Sequence, residues 1–115
     1  MYIQTYADSR LFSWDAQKSD ANLQERGFDF AFASLIFSGP TLERVDGRLD
    51  YGERRIVVIG LADGNHLTVV YTDRATSRGH AEHRIISARR ASRKERITYE
   101  AAVDTEGSKS RSRGS

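Results

Sequence analysis

Arg55-Ile56-Val57-Val58-Ile59-Gly60-Leu61-Ala62-Asp63-Gly64-Asn65-His66-Leu67-Thr68-Val69-Val70-Tyr71-Thr72-Asp73 is two runs rich in Val, Ile, Thr and Tyr joined through Asp-Gly. β-branched and aromatic side chains pack well on a pleated surface, and Asp-Gly supplies the positive φ angles of a tight hairpin turn. The stretch therefore predicts an antiparallel hairpin with strands over Arg55–Gly60 and His66–Asp73. The same composition continues outward in Thr41–Val45, followed by a second turn signal at Asp46-Gly47, and in His83–Ala88. About four strands in a mostly antiparallel sheet are expected.

The flanks read as helices. Leu11–Trp14 is a short extended lead-in, after which Asp15 is an N-cap for a helix of about ten residues ending at Gly27, a residue that tolerates the left-handed conformation. Asp29 caps a second helix, on which Phe30, Ala33 and Phe37 recur at helical spacing until Gly39-Pro40. Ser92-Arg93-Lys94-Glu95 matches the capping box, so a last helix starts at Arg93 and runs to about Val103. The expectation is an α+β domain: two N-terminal helices, the sheet, and a C-terminal helix. Phe30, Phe37, Ile56, Val58, Val69 and Ile86 are its predicted core. One domain is read over residues 1–106, with a disordered Gly/Ser/Arg tail over 107–115.

Composition narrows the function. There is no cysteine in 115 residues, so thiolate zinc sites, disulfides and cysteine nucleophiles are excluded. No apolar run has the length to cross a bilayer and the N-terminus lacks the order of a secretion signal, so no membrane partner and a cytoplasmic location are expected. The formal net charge of +2 is unevenly spread: residues 1–53 carry −4 and residues 54–115 carry +6. A basic second half favours an anionic partner, nucleic acid first, against the alternative of a solvated surface of ion pairs.

The densest signal is Arg84-Ile85-Ile86-Ser87-Ala88-Arg89-Arg90-Ala91-Ser92-Arg93-Lys94-Glu95-Arg96, which places six cations and one acid over a strand end and a helix start. Cations at a helix N-terminus oppose the macrodipole, whereas free amides and arginine forks converge on phosphate. Arg84, Arg89, Arg90, Arg93, Lys94 and Arg96 are thus candidate RNA contacts, the alternative being exposed arginines that cover the sheet with their stems. Strict alternation puts His83, Ile85, Ser87 and Arg89 on one face and Arg84, Ile86 and Ala88 on the other. A bend at Arg89 is then needed to bring it beside Arg84. Lys18 is either a phosphate contact or a partner of Asp15 or Asn22. Trp14 is a core anchor or a base-stacking indole, Tyr99 is partly buried, and His66 is a satisfied histidine. His80 and His83 have metal-ligand spacing without a third ligand, so neither a metal nor a cofactor is expected.

Phe12-Ser13-Trp14-Asp15 with Lys18 and Asn22, Gly27 and Phe30, Asp50-Tyr51-Gly52-Glu53 with Arg55, and Arg84-Ile85-Ile86-Ser87-Ala88-Arg89 with Ala91, Glu95, Arg96 and Tyr99 closely resemble the BrnT family over about residues 12–100. That family comprises toxins of type II toxin-antitoxin systems with a RelE-like ribonuclease fold, each neutralised by a BrnA antitoxin that also binds DNA. The resemblance implies RNA and a BrnA-like antitoxin as partners, and a hetero-oligomer with the latter. It implies metal-independent attack of a ribose 2′-OH on the adjacent phosphorus. Arg55, Arg84 and Arg89 are then phosphate-gripping groups, and Glu53, which the match places two residues before Arg55, is the base or else a surface partner of Arg55. Arg26 stands where the family usually has histidine, so no histidine role carries over to it. The loop Arg74–Glu82 is longer than the family leads one to expect. A non-catalytic nucleic-acid- or antitoxin-binding module, or a purely structural partner of a DNA-binding protein, are the competing readings.

Overall fold

The chain is described by a computed structural model covering residues 2–7, 10–50, 53–75, 79 and 81–110, with side chains for 10–46, 54–75, 79 and 81–104. Its described residues form β1 (Tyr2–Ala7), β2 (Arg10–Asp15), α1 (Ala16–Arg26), α2 (Phe30–Ala33) running into a 3₁₀ segment (Ser34–Ser38), β3 (Thr41–Asp50), β4 (Glu53–Ala62), β5 (Asn65–Ala75), β6 (Ala81–Arg90) and α3 (Arg93–Ser110). The strands make one sheet in the order β1-β2-β6-β5-β4-β3. All neighbours are antiparallel except β2 and β6, which run parallel. The α+β class holds, with six described strands in a mixed sheet where about four were expected.

Local chemistry explains the elements that matched. Asp63 and Gly64 both have positive φ, 50° and 82°, and join β4 to β5 as the hairpin reading requires. Asp15 Oδ1 accepts from the Gln17 amide at 2.8 Å at the start of α1, and Gly27 ends it at φ 87° with its amide on the Leu23 carbonyl. Asp29 accepts from the Phe32 amide at 2.9 Å. The second expected helix is a single α turn that tightens into 3₁₀ before Gly39-Pro40.

Other expectations are corrected. Leu11–Trp14 is no lead-in but the middle of β2, hydrogen-bonded to β1 on one side and to β6 on the other. Asp46-Gly47 is no turn: β3 continues through it to Asp50, with a register irregularity between Val45 and Leu49. β5 and β6 reach Ala75 and Ala81, so the long loop read over 74–82 reduces to residues 76–80. The backbone of α3 extends past Val103 to Ser110. The tail reading begins at Gly107, beyond the described side chains.

The core lies on one sheet face, under α1, α2 and the 3₁₀ segment. Phe12, Trp14, Val58, Ala62, Leu67, Val69, Tyr71, Ile85 and Ala88 from the strands meet Phe28, Phe30, Ala33, Ile36 and Phe37. Phe12 and Phe37 pack at 4.9 Å, and Tyr71 meets Phe37 edge-on at 5.5 Å. Gly60 permits the close approach of the 3₁₀ segment: a Cβ there would lie 2.8 Å from the Ile36 Cβ. Of the six residues predicted as core, Phe30, Phe37, Val58 and Val69 are buried, whereas Ile56 and Ile86 are only half-buried.

The Ile86 discrepancy has a definite cause. Val70 pairs with Ser87 and Tyr71 with Ile85, so Ile86 is an extra residue, a β-bulge. Ile85 and Ala88, three apart, therefore both enter the core. The alternation assumed from the sequence is broken in the middle of β6.

Candidate active site

The opposite sheet face carries the arginines. Arg55 pairs with Thr72, Thr72 with Arg84, and Arg84 with Ser13, so these four residues form one straight row across β4, β5, β6 and β2. Directly paired residues share a face, and the two arginines sit about two strand spacings apart, roughly 10 Å between Cα atoms. Between and beside them lie two short hydroxyl side chains, Thr72 and Ser13, both buried. Thr72 Oγ1 donates to the Arg54 carbonyl at 2.8 Å. The Nε atoms of Arg55 and Arg84 are buried, and both residues are half-buried in the row.

The bulge at Ile86 brings Arg89 onto this face. Arg89 pairs with Thr68, four residues before Thr72 on the regular strand β5, which is about 13 Å along it. No bend at the strand end is needed. Arg89 is committed, however: its Nη1 and Nη2 donate to the two carboxylate oxygens of Glu95 at 2.8 and 2.9 Å. Glu95 also accepts from Thr68 Oγ1 at 3.0 Å and from the Ser92 amide at 2.8 Å, while Ser92 Oγ accepts from the Glu95 amide. The predicted capping box is thus present, and its glutamate doubles as the anchor of α3 to the sheet. Chiefly through the Arg89 hydrogen bonds, the Glu95 carboxyl is held down at about 2.

The helix α3 covers the end of this face nearest the β4–β5 turn. Tyr99, expected to be partly buried, is 1% exposed, donates to the Pro40 carbonyl at 2.8 Å and meets the His66 ring edge-on. His66 Nε2 lies 2.6 Å from Glu100, in keeping with a satisfied histidine. Arg93, Lys94 and Arg96 are exposed on the first turn of α3.

The remaining candidates separate. Glu53 opens β4 opposite Asp50, with its side chain outside those described. Arg90 points away from Arg89, its guanidinium 5.9 Å from the centre of the Phe28 ring, beside a cleft that Leu23, Phe32 and Leu67 also line. Lys18 is exposed on α1, in the helical layer on the other side of the sheet from the row. Arg26 donates to the Ala88 carbonyl at 2.8 Å and to Asn22 Oδ1 at 3.2 Å, tying the end of α1 to β6. Trp14 is a core residue at 5% exposure. His83 Nδ1 lies 2.6 Å from Asp73 Oδ1, among Phe12, Phe37 and Tyr71 and on the core side of β6. His80 lies outside the described residues, and among those described no three His, Cys, Asp or Glu gather as metal ligands would.

Sequence reasoning missed one member of this face. Glu82 is buried at 5% exposure, accepts from Ser13 Oγ at 2.5 Å, and lies 3.8 Å from Arg84 Nη2. The sequence reads it as the last residue of a loop, and only the extension of β6 to Ala81 puts it on the row's side of the sheet.

A face bearing two sheet-mounted arginines, with three exposed cations at the start of a helix that is tied to the same face through Glu95 and Thr68, can grip a phosphodiester backbone. Among the described residues no helix is long and apolar enough to span a membrane. No curated protein matches the chain. Residues 14–95, which carry the whole row from Arg55 to Arg84 and the Arg89–Glu95 pair, match the family described as the ribonuclease toxin, BrnT, of type II toxin-antitoxin systems. The chain belongs to the BrnT family of ribonuclease toxins.

Proposed function

We propose that this chain is the toxin of a type II toxin-antitoxin pair and acts as a metal-independent endoribonuclease that stops translation by cutting RNA. The observation that carries the reading is the row Arg55–Thr72–Arg84, two arginines on strands β4 and β6 aligned through Thr72 of the strand between them, on the face opposite the packed core. The scissile phosphate lies over this row. The ribose 2′-oxygen attacks phosphorus, the bond to the 5′-oxygen breaks, and Arg55 and Arg84 stabilise the charge that builds on the pentavalent phosphate. Glu53 takes the 2′-hydroxyl proton, and the departing 5′-oxygen takes one from solvent water. Arg93, Lys94 and Arg96 hold flanking phosphates, with Arg90 and Lys18 as outlying contacts. The partner that silences the site is a BrnA-like DNA-binding antitoxin in a hetero-oligomer, presenting carboxylates to the same cations. Work on RNA assigns the chain to the cytoplasm.

Arg89 supports a second reading. Its fork is filled by Glu95, so one of the sequence-predicted phosphate contacts is spent inside the protein, as suits a module that binds RNA or antitoxin without cutting. One preparation separates the two. In EDTA, the unmutated chain is expected to cleave RNA, free or ribosome-bound. Glu53→Gln should bind RNA as well as the unmutated chain but cleave it roughly 10²- to 10⁴-fold more slowly. RNA binding without cleavage by the unmutated chain would establish the second reading.

A further inference from the structure

Among the described residues Glu82 is the one charged side chain that is buried. Burying a carboxylate is unfavourable unless partners compensate it, and an apolar residue would serve the β2–β6 seam better if only packing mattered. Two of its partners lie on the arginine row. Ser13, fully buried, donates its hydroxyl to Glu82 Oε2, and Arg84 Nη2 stands 3.8 Å from the same oxygen. The backbone sets this up: Glu82 pairs with Leu11 and Arg84 with Ser13 across the parallel seam, while Arg74 pairs with Glu82 from β5. Glu82 thus sits two residues before Arg84 on the same strand face, with its carboxylate pinned from β2.

We propose that Glu82 is a positioning residue, which with Ser13 fixes the guanidinium of Arg84 so that its outer N–H groups face the phosphate. The proposal rests on the ribonuclease reading for its consequence, though not for its geometry. An arginine presents its N–H donors in a fixed planar fork, and the Glu82 carboxylate, held by Ser13 and 3.8 Å from Nη2, sets by charge attraction which way that fork turns. Glu82 itself stays clear of RNA: its side chain is 7% exposed, against 21% for Arg84. Its negative charge weakens phosphate affinity somewhat while its grip aligns Arg84, so affinity and rate respond to it in opposite directions.

The test uses the full chain with Glu82→Gln, Arg84→Ala and the double variant. The glutamine keeps an acceptor for Ser13 and removes the charge. Three readouts are taken: RNA affinity, cleavage in EDTA, and the Nε–Hε resonance of Arg84, assigned by its loss in Arg84→Ala. Glu82→Gln is expected to bind RNA equally or more tightly, to cleave about tenfold or more slowly, and to show faster solvent exchange at the Arg84 resonance. In the Arg84→Ala background it should cost nothing further. An unchanged Arg84 resonance, or cleavage losses that multiply in the double variant, overturns the proposal and leaves the ribonuclease reading standing. If the unmutated chain cuts no RNA, that reading falls, and the resonance alone decides the role of Glu82. Should Glu82→Gln not fold, Ser13→Ala takes its place: mobilised Arg84 upholds the proposal, and an undisturbed Arg84 overturns it.

Discussion

Glu95→Gln tests the junction between the sheet and α3. The carboxylate takes two hydrogen bonds from Arg89, one from Thr68 and one from the Ser92 amide. Its carboxyl is lowered from 4.5 to about 2 in the folded chain, first by Arg89 and then by Ser92 and Thr68 against an opposing desolvation. A depressed folded value means stability that is fully present above the unfolded value and is lost as pH falls through the folded one. The window therefore runs from about pH 4.5 down to about pH 2. Taken at face value the shift is worth about 3 kcal/mol. The Arg89 side chain is 45% exposed, so solvent screening brings the expected loss to about 1–2 kcal/mol. Urea unfolding of the unmutated and Glu95→Gln chains at pH 7, 5, 4 and 3 measures it. The difference should be constant from pH 7 to pH 5 and shrink below. In the same variant Arg89 is released, so RNA affinity at low salt should rise even as stability falls. A stability difference that does not change between pH 7 and pH 3 would refute the assignment of the shift to this hub, and falling RNA affinity would refute the view that Glu95 withholds Arg89 from phosphate.

Arg55→Ala and Arg84→Ala should each lower the slope of log affinity against log salt by roughly 0.7 on single-stranded RNA, measured by fluorescence anisotropy. Lys18→Ala, an outlying contact in the opposite layer, should lower that slope by less. Gly60→Ala forces its new methyl to 2.8 Å from the Ile36 Cβ and should destabilise the fold by about 1–3 kcal/mol in denaturant titrations. Tyr99→Phe removes only the hydrogen bond to the Pro40 carbonyl and should lower stability by about 1 kcal/mol.

What the sequence revealed was what is encoded locally. The Asp63-Gly64 turn, the Asp15 and Gly27 caps and the Ser92–Glu95 capping box each depend on residues a few positions apart, and all form as expected. What it concealed was non-local. Nothing near Leu11–Trp14 announces that this segment pairs in parallel with residues some 70 positions later. The bulge at Ile86 is invisible to a period-two reading, because any single residue inserted into a strand reverses the faces of everything after it. That one residue decides both the burial of Ile85 over Ile86 and the presence of Arg84 and Arg89 on one face. Arg55 and Arg84 were legible as cations at strand positions, but their alignment through Thr72 follows from register alone. Glu82 was overlooked because an acid after His80-Ala81 looks like solvated loop.

The place of β6 in the sheet bears on when the arginine row forms. β6 lies between the N-terminal pair β1–β2 and the meander β5–β4–β3, and it is the last strand to be synthesised. Before it emerges, β2 has no neighbour on that side, Ser13 has no Glu82 to meet, and Arg55 has no Arg84 two strands away. Long-range pairings of this kind form only after their loop-closure entropy has been overcome, so they come late in folding. A chain that stops before β6 thus cannot set Arg84 beside Thr72 and Arg55. The alignment of Arg55 with Arg84 is confined by topology to chains in which β6 has been made and has joined the two halves of the sheet.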